Sequence, residues 1–134
     1  LLPEKAHVFI EGWSWGHSIV DGPGSVADVA AALFAQVRKN LAPGGLVVLI
    51  ETLGTNALSP AAPHPRLAEF YQLLQSRFGL LQTAISTDYR FDSAAAAAET
   101  LGFFFGETMA QVVRTANSAV VPEWTGVWFG PVPS

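Results

Sequence analysis

The sequence contains no cysteine, which excludes disulfides, thiolate zinc sites and cysteine nucleophiles. Charge is also scarce: 13% of the 134 residues are Asp, Glu, Lys or Arg, roughly half the share of an ordinary soluble domain. The formal net charge is −4 and the basic residues form no run. Nucleic acid and anionic membranes, which select clustered Lys and Arg, are therefore poor partners. The three histidines are scattered, and no metal site is expected. The longest run of large apolar residues, Leu46 to Ile50, is far below the roughly 20 residues that cross a bilayer. No charged segment leads into an apolar stretch as in a signal peptide. These absences point to a cytoplasmic protein with a small-molecule partner, no nucleic acid and no membrane, and they leave its oligomeric state open.

What is present is a large apolar fraction, 50% of the chain, enough for the core of one domain. So little charge around so much apolar surface leads to the expectation that one face is buried against something, or that part of the domain is absent. The opening Leu1-Leu2-Pro3-Glu4-Lys5, without an initiator Met, adds to the second expectation.

Ala6 to Ile10 is a short apolar run with β-branched and aromatic members that ends at Glu11-Gly12, and it reads as a buried strand. Residues 13–24, rich in Gly and aromatics, read as a loop. Ser25 is a helix N-cap with Asp28 three residues on, and Val26, Val29, Ala30, Leu33, Phe34, Val37 and Leu41 form one apolar stripe. Pro43-Gly44-Gly45 stops that helix. Leu46 to Ile50 is apolar on both faces, as in a covered parallel sheet, and ends at Glu51. Strand, crossover helix and strand make a right-handed βαβ unit.

The second half is expected to hold a Pro-rich loop over 54–65 and a helix on Leu67, Phe70, Tyr71, Leu74 and Phe78 closed by Gly79. A strand follows over Leu80 to Phe91, then a helix through the alanines 94–98, broken at Phe103-Phe104-Phe105-Gly106. A further helix runs from about 107 to 116, and a last strand from Ala119 to Phe129. Pro122, lacking an N–H, places that strand at an edge or a bulge. The fold class expected is α/β: a three-layer sandwich with parallel strands plus an antiparallel C-terminal edge.

Ligands of open parallel sheets bind beyond the C-terminal ends of the strands, which singles out Glu11-Gly12-Trp13-Ser14-Trp15-Gly16-His17 and Glu51-Thr52-Leu53-Gly54-Thr55. In the first loop, glycines admit close backbone approach, Trp13 and Trp15 offer flat walls, and Glu11, Ser14 and His17 offer polar anchors. The same residues also suit a duller role, with the tryptophans capping the core and Glu11 capping a helix. His17 suits a general base by residue type, histidine being the common proton acceptor of enzymes, or it is a plain exposed histidine. Glu51 suits a ligand hydroxyl or amine, or a helix cap. Asp88-Tyr89-Arg90 suits a polar pocket edge or an internal ion pair. Pro122 to Gly126 suits the pocket's far wall or a bulge.

The segment Val29 through Ala42-Pro43-Gly44-Gly45-Leu46-Val47-Val48-Leu49-Ile50-Glu51 resembles the helix, L-x-P-G-G turn and fifth strand of class I S-adenosylmethionine-dependent methyltransferases. Phe9-Ile10-Glu11-Gly12-Trp13 matches their fourth strand and the loop after it. The ordered segments EGWSWGH, IETLGT, TDYRF, FFFGE and VPEWTG extend the likeness over nearly the whole chain and resemble one bacterial branch of that superfamily. The resemblance implies a Rossmann-like sheet with an antiparallel last strand that binds S-adenosyl-L-methionine. The family's Gly-rich cofactor loop and the acid ending its second strand are not in this sequence. Residues 1–134 would thus be the C-terminal portion of a single methyltransferase domain, a fragment inactive alone.

Carried onto this chain, the resemblance places Glu11, Gly12 and Trp13 beside the cofactor, Trp15, His17 and Tyr89 beside the substrate, and Glu11 or His17 as the catalytic base. The reaction implied is methyl transfer to a small-molecule acceptor, in which the protein positions, excludes water and removes a proton where needed. Two other readings stand beside it: a non-catalytic α/β half-domain for assembly or regulation, and part of a nicotinamide-dependent oxidoreductase. A Gly-rich turn after an upstream strand would favour a nucleotide cofactor over the assembly module.

Overall fold

The computed structural model describes residues 3–132. Strand β1 (Ala6–Gly12) and strand β2 (Leu41–Thr55) are parallel neighbours. Two helices connect them, α1 (Trp15–Asp21) and α2 (Val26–Asn40). Helix α2 starts as its sequence dictates: the Ser25 Oγ accepts from the Asp28 N–H at 3.1 Å, satisfying one of the unpaired donors of the first turn. Its Val26, Ala30, Phe34 and Val37 are buried.

Two expectations need correction here. Residues 15–21 form a helix rather than a loop. The Glu11 carboxylate accepts from the N–H groups of Ser14 and Trp15, and Trp15 and Ile19, one turn apart, are buried. The second concerns Pro43-Gly44-Gly45, which does not end α2. That helix stops at Asn40 and strand pairing begins at once, with Leu41 opposite Ala6. The turn is a bulge inside β2, and pairing resumes with Leu46 opposite Val8. Gly45 is required there, since a Cβ would lie 2.9 Å from the Ala42 carbonyl oxygen.

Helix α3 (Pro65–Ser76) opens with Pro at its first position, the His64 Nδ1 accepting from the Arg66 N–H at 3.1 Å. The expected strand over 80–91 is two pieces, β3 (Leu81–Ser86) and β4 (Tyr89–Arg90). Helix α4 (Ala94–Phe105) runs through the three phenylalanines and ends only at Gly106, whose φ of 95° suits glycine. Helix α5 (Glu107–Ala116) occupies the expected span. The last strand is also divided, by Pro122, into β5 (Val120–Val121) and β6 (Glu123–Pro131). The short pieces β4 and β5 pair antiparallel. Together with α4 and α5 they hold a small second core of Ala97, Ala98, Leu101, Val113 and Val121.

The main sheet has the order β1-β2-β6-β3. Strand β6 is antiparallel to both of its neighbours. The last strand is therefore interior and not the expected C-terminal edge; the edges are β1 and β3. Pro122 precedes β6, so its missing N–H does not interrupt the ladder, and an interior place buries Trp128 completely.

Period-2 alternation gives the sheet two unlike faces. On one, Val47, Leu49, Leu53 and Trp128 pack against Ile19 of α1, Phe34 of α2, and Phe70 and Leu74 of α3. Phe34 stacks on Phe78 at 3.8 Å, and Tyr71 on Trp128 at 4.3 Å. On the other face the register aligns Ile10, Val48, Phe129 and Leu81 in one row. Ile10 is 64% and Leu81 65% exposed, and no described residue forms a layer over them. The chain thus shows an α/β sandwich of two layers where three were expected. A contiguous apolar face of this kind drives association. We expect the isolated chain to self-associate with rising concentration, and the double variant Ile10→Lys, Leu81→Lys to shift it toward monomer by light scattering after gel filtration. An unchanged mass in the double variant would show that the open face is not the sticky one.

Candidate functional site

The C-terminal ends of β1 and β2 and the start of β6 meet on one rim. Each carries a buried acid: Glu11, Glu51 and Glu123. A cleft of about 400 Å³ opens there, bordered by Trp13, His17, Glu51, Tyr89, Phe105 and Glu123. This is within the size range of small-molecule sites and where open α/β sheets place their ligands. A wider depression of about 630 Å³ lies outside α1 and α2, beside Ser18, Pro23 and Val29. It is shallow and contains no buried titratable group, so the chemistry belongs to the rim cleft.

Glu51 is 2% exposed. Its Oε1 accepts from the Gly16 N–H at 2.9 Å. A Cβ at residue 16 would lie 2.7 Å from the Glu51 Oε2, so glycine is what admits the carboxylate. Burial raises the Glu51 pKa to about 8, helped by the hydrogen-bonding contact and charge of the Glu11 carboxyl and opposed by the N–H groups of Gly16 and Trp15. Glu11 Oε2 caps α1, whereas its Oε1 has no donor among the described residues. A proton on Glu51, shared with Glu11, is the arrangement that makes two adjoining buried carboxyls tolerable.

Behind them the Tyr71 hydroxyl donates to the Thr52 carbonyl at 2.8 Å. Burial, then the charges of Glu51 and Glu11, push its ionisation far above the ordinary phenol range, so it stays a neutral donor. On the far wall, burial raises the pKa of Glu123, which is 5% exposed, against hydrogen bonds from the Thr55 and Thr52 hydroxyls. Its Oε2 has no donor among the described residues. Burial first, and the charge of Glu123 second, raise the Tyr89 pKa, and both residues line the cleft. Asp88 Oδ1 accepts from the Glu123 N–H at 3.1 Å and from the Ser86 hydroxyl at 3.3 Å, and so sets the start of β6; among the described residues it forms no ion pair with Arg90.

Arg66 shapes the near wall from α3. Its Nε donates to the Ile19 carbonyl at 2.7 Å and its Nη2 to those of Gly22 and Gly24. The end of α1, with Asp21 on the cleft, is tied down by these bonds.

Of the residues singled out from sequence, Trp13, His17 and Tyr89 border the cleft. Trp13 holds a φ of 52°, and its N–H donates to the Ile50 carbonyl at 2.8 Å. Trp15 does not border the cleft. Its ring is buried between Phe9 and Phe34, at 5.7 and 5.2 Å, because it opens α1 on the core side. Glu11 lies beneath Glu51 and turns inward, sharing the covered face of β1 with Phe9. Gly12 is exposed, and nothing lies within 4 Å of where its Cβ would be. Glu51, Thr52 and Thr55 of the second expected loop line the cleft too, as do Asp21 and Phe105, which the sequence did not single out as ligands. For Phe105 the signal was hidden, since the phenylalanine run looks like a helix break and is instead the last turn of α4.

No known family model and no curated protein sequence matches the chain significantly.

Proposed function

We propose that the chain is the acceptor-side part of a Rossmann-like, S-adenosylmethionine-dependent methyltransferase acting on a small molecule. The observation that carries the reading is the rim itself. The parallel pair β1–β2, joined through α2 and the Pro43-Gly44-Gly45 bulge, ends beside an open cleft whose walls are aromatic and whose floor is polar. The antiparallel last strand β6 agrees with the same reading.

The residues present fit the cofactor in part. Gly12 and Trp13 are open at the free edge of β1 and would flank its methionine portion, with Gly12 admitting close backbone approach. Glu11, engaged in capping α1, is withdrawn from that role. The bound sulfonium supplies an electrophilic methyl group. His17, exposed on α1 at the cleft mouth, is placed to take a proton from the acceptor. Glu11 is too deep for that task. The Trp13 and Tyr89 rings hold the acceptor and exclude water.

The test is calorimetric titration of S-adenosylhomocysteine into the natural full-length protein. We expect saturable binding, weakened about tenfold by Trp13→Ala. No heat and no thermal shift at millimolar ligand would overturn the reading. A second reading, an assembly module without catalysis, draws on the bare sheet face and the unpaired β1 edge. It gains if that titration is silent while a partner protein protects Ile10 and Leu81 from solvent.

A further inference from the structure

The rim cleft holds acids and no fixed base. Asp21 and Glu123 line it beside the protonated Glu51, and among its described lining residues there is no Lys or Arg. Arg66, the basic residue of the neighbouring helix, is engaged with three backbone carbonyls. Trp13, Tyr89 and Phe105 surround the acids and are substantially exposed. Glu123 is the focal point: it is 5% exposed, and its Oε2 is a buried acceptor without a donor among the described residues. Leaving such an oxygen unpaired is costly, and a ligand N–H that reaches it removes the cost.

We propose that this cleft binds a small organic cation, a protonated amine carried on an apolar body. The ammonium donates to Glu123 Oε2 and lies against the rings of Trp13, Tyr89 and Phe105, where aromatic faces attract cations. The apolar body fills the space toward Val20 and Leu67. A cleft of about 400 Å³ accommodates an amine of drug-fragment size. A metal ion is a worse match, because no three His, Asp or Glu among the described residues converge as a metal site. The binding claim stands on the cleft alone. The further statement that this amine is the methyl acceptor rests on the methyltransferase reading.

The experiment titrates 2-phenylethylamine and its neutral counterpart 2-phenylethanol into the natural full-length protein, followed by calorimetry or by NMR shifts of the tryptophan indoles. The amine should bind at least tenfold more tightly than the alcohol. Glu123→Gln, which exchanges one oxygen for a donor of the same size, should abolish that preference while circular dichroism shows the fold retained. Phe105→Leu, on the cleft rim, should weaken the amine several-fold and spare the alcohol. Equal binding of the two probes, binding of neither, or a preference that survives Glu123→Gln with the fold intact would overturn the proposal. Should Glu123→Gln not fold, the probe comparison on the wild type and Phe105→Leu decides. A competition arm separates two sources of positive charge. If S-adenosylmethionine displaces the amine, the cation site is the cofactor's own and the acceptor assignment fails. If S-adenosylhomocysteine does not bind at all while the amine preference holds, the methyltransferase reading falls and the amine site stands.

Discussion

Glu51→Gln is expected to make the protein more stable at alkaline pH and to remove most of its pH dependence. In the folded chain the Glu51 pKa is about 8 against an ordinary 4.5, the shift being caused first by burial and then by Glu11. Between those values the folded state binds the proton that the unfolded state has released. The stability that the neutral carboxyl contributes is therefore complete below about 4.5 and is lost as the pH climbs toward 8. One pKa unit corresponds to about 1.4 kcal/mol, so a shift of this size amounts to several kcal/mol. Gln is neutral throughout. Its Oε1 can still accept from Gly16, and its amide N–H can donate to the Glu11 oxygen that lacks a donor. Melting followed from about pH 5 to about pH 9 should show the wild type falling by roughly 10 °C and Glu51→Gln nearly level. Glu123, also raised by burial, leaves a small residual slope of the same sign, which Glu51→Gln combined with Glu123→Gln should flatten. Parallel curves for the wild type and Glu51→Gln would mean that the buried pair does not hold a shared proton.

The second large effect sets neighbouring residues of β6 against each other. Trp128 is wholly buried, stacked on Tyr71, and its ring edge occupies the space a Cβ at Gly126 would need. Trp128→Ala should lose about 3–5 kcal/mol, a large part of the roughly 5–15 kcal/mol that holds an ordinary domain together. Phe129, one residue on, points to the open face and is 39% exposed; Phe129→Ala should lose only about 1 kcal/mol. Trp128→Phe should be mild as well, because it keeps a ring against Tyr71 and deletes a buried indole N–H that has no partner among the described residues. Urea titrations of the three variants check this order. Similar losses at 128 and 129 would refute the two-faced sheet.

These expectations use features of uneven legibility. Strand β1, helix α2 and the apolar centre of β2 could be read from runs and periodicity, as could α3 and α5. Helix α1 could not: its seven residues show too few turns for a stripe, and its cap is a side chain from the preceding strand. Strand order is equally out of reach, because it depends on pairings distant in sequence; Pro122 leaves an edge or a bulge open, and it separates β5 from an interior β6. At the site, Trp13, His17 and Tyr89 were legible as polar or aromatic residues at strand ends and in loops. Glu11 and Trp15 follow the duller of the two readings open to them, helix cap and core residue, and not the ligand-binding one. Alternation along β1 puts Glu11 on the side of Phe9, and the helix it caps carries Trp15 into the core. The Pro122 to Gly126 segment has two readings, pocket wall or bulge, and both describe it: Glu123 lines the cleft, and the β2–β6 register shifts opposite Glu123 and Thr125.

The central position of β6 also bears on how the sheet is assembled. Among the described residues, edge strand β3 joins the sheet through β6, so as the chain is synthesised it has no neighbour to zip onto until residues 123–131 emerge. β1, β2 and their helices can pair before then, and α4 can pack on α5, while β3 waits for β6. The sheet is therefore closed late in the folding of residues 3–132, and the cleft, whose far wall begins with β6, takes shape after the β1–β2 pair.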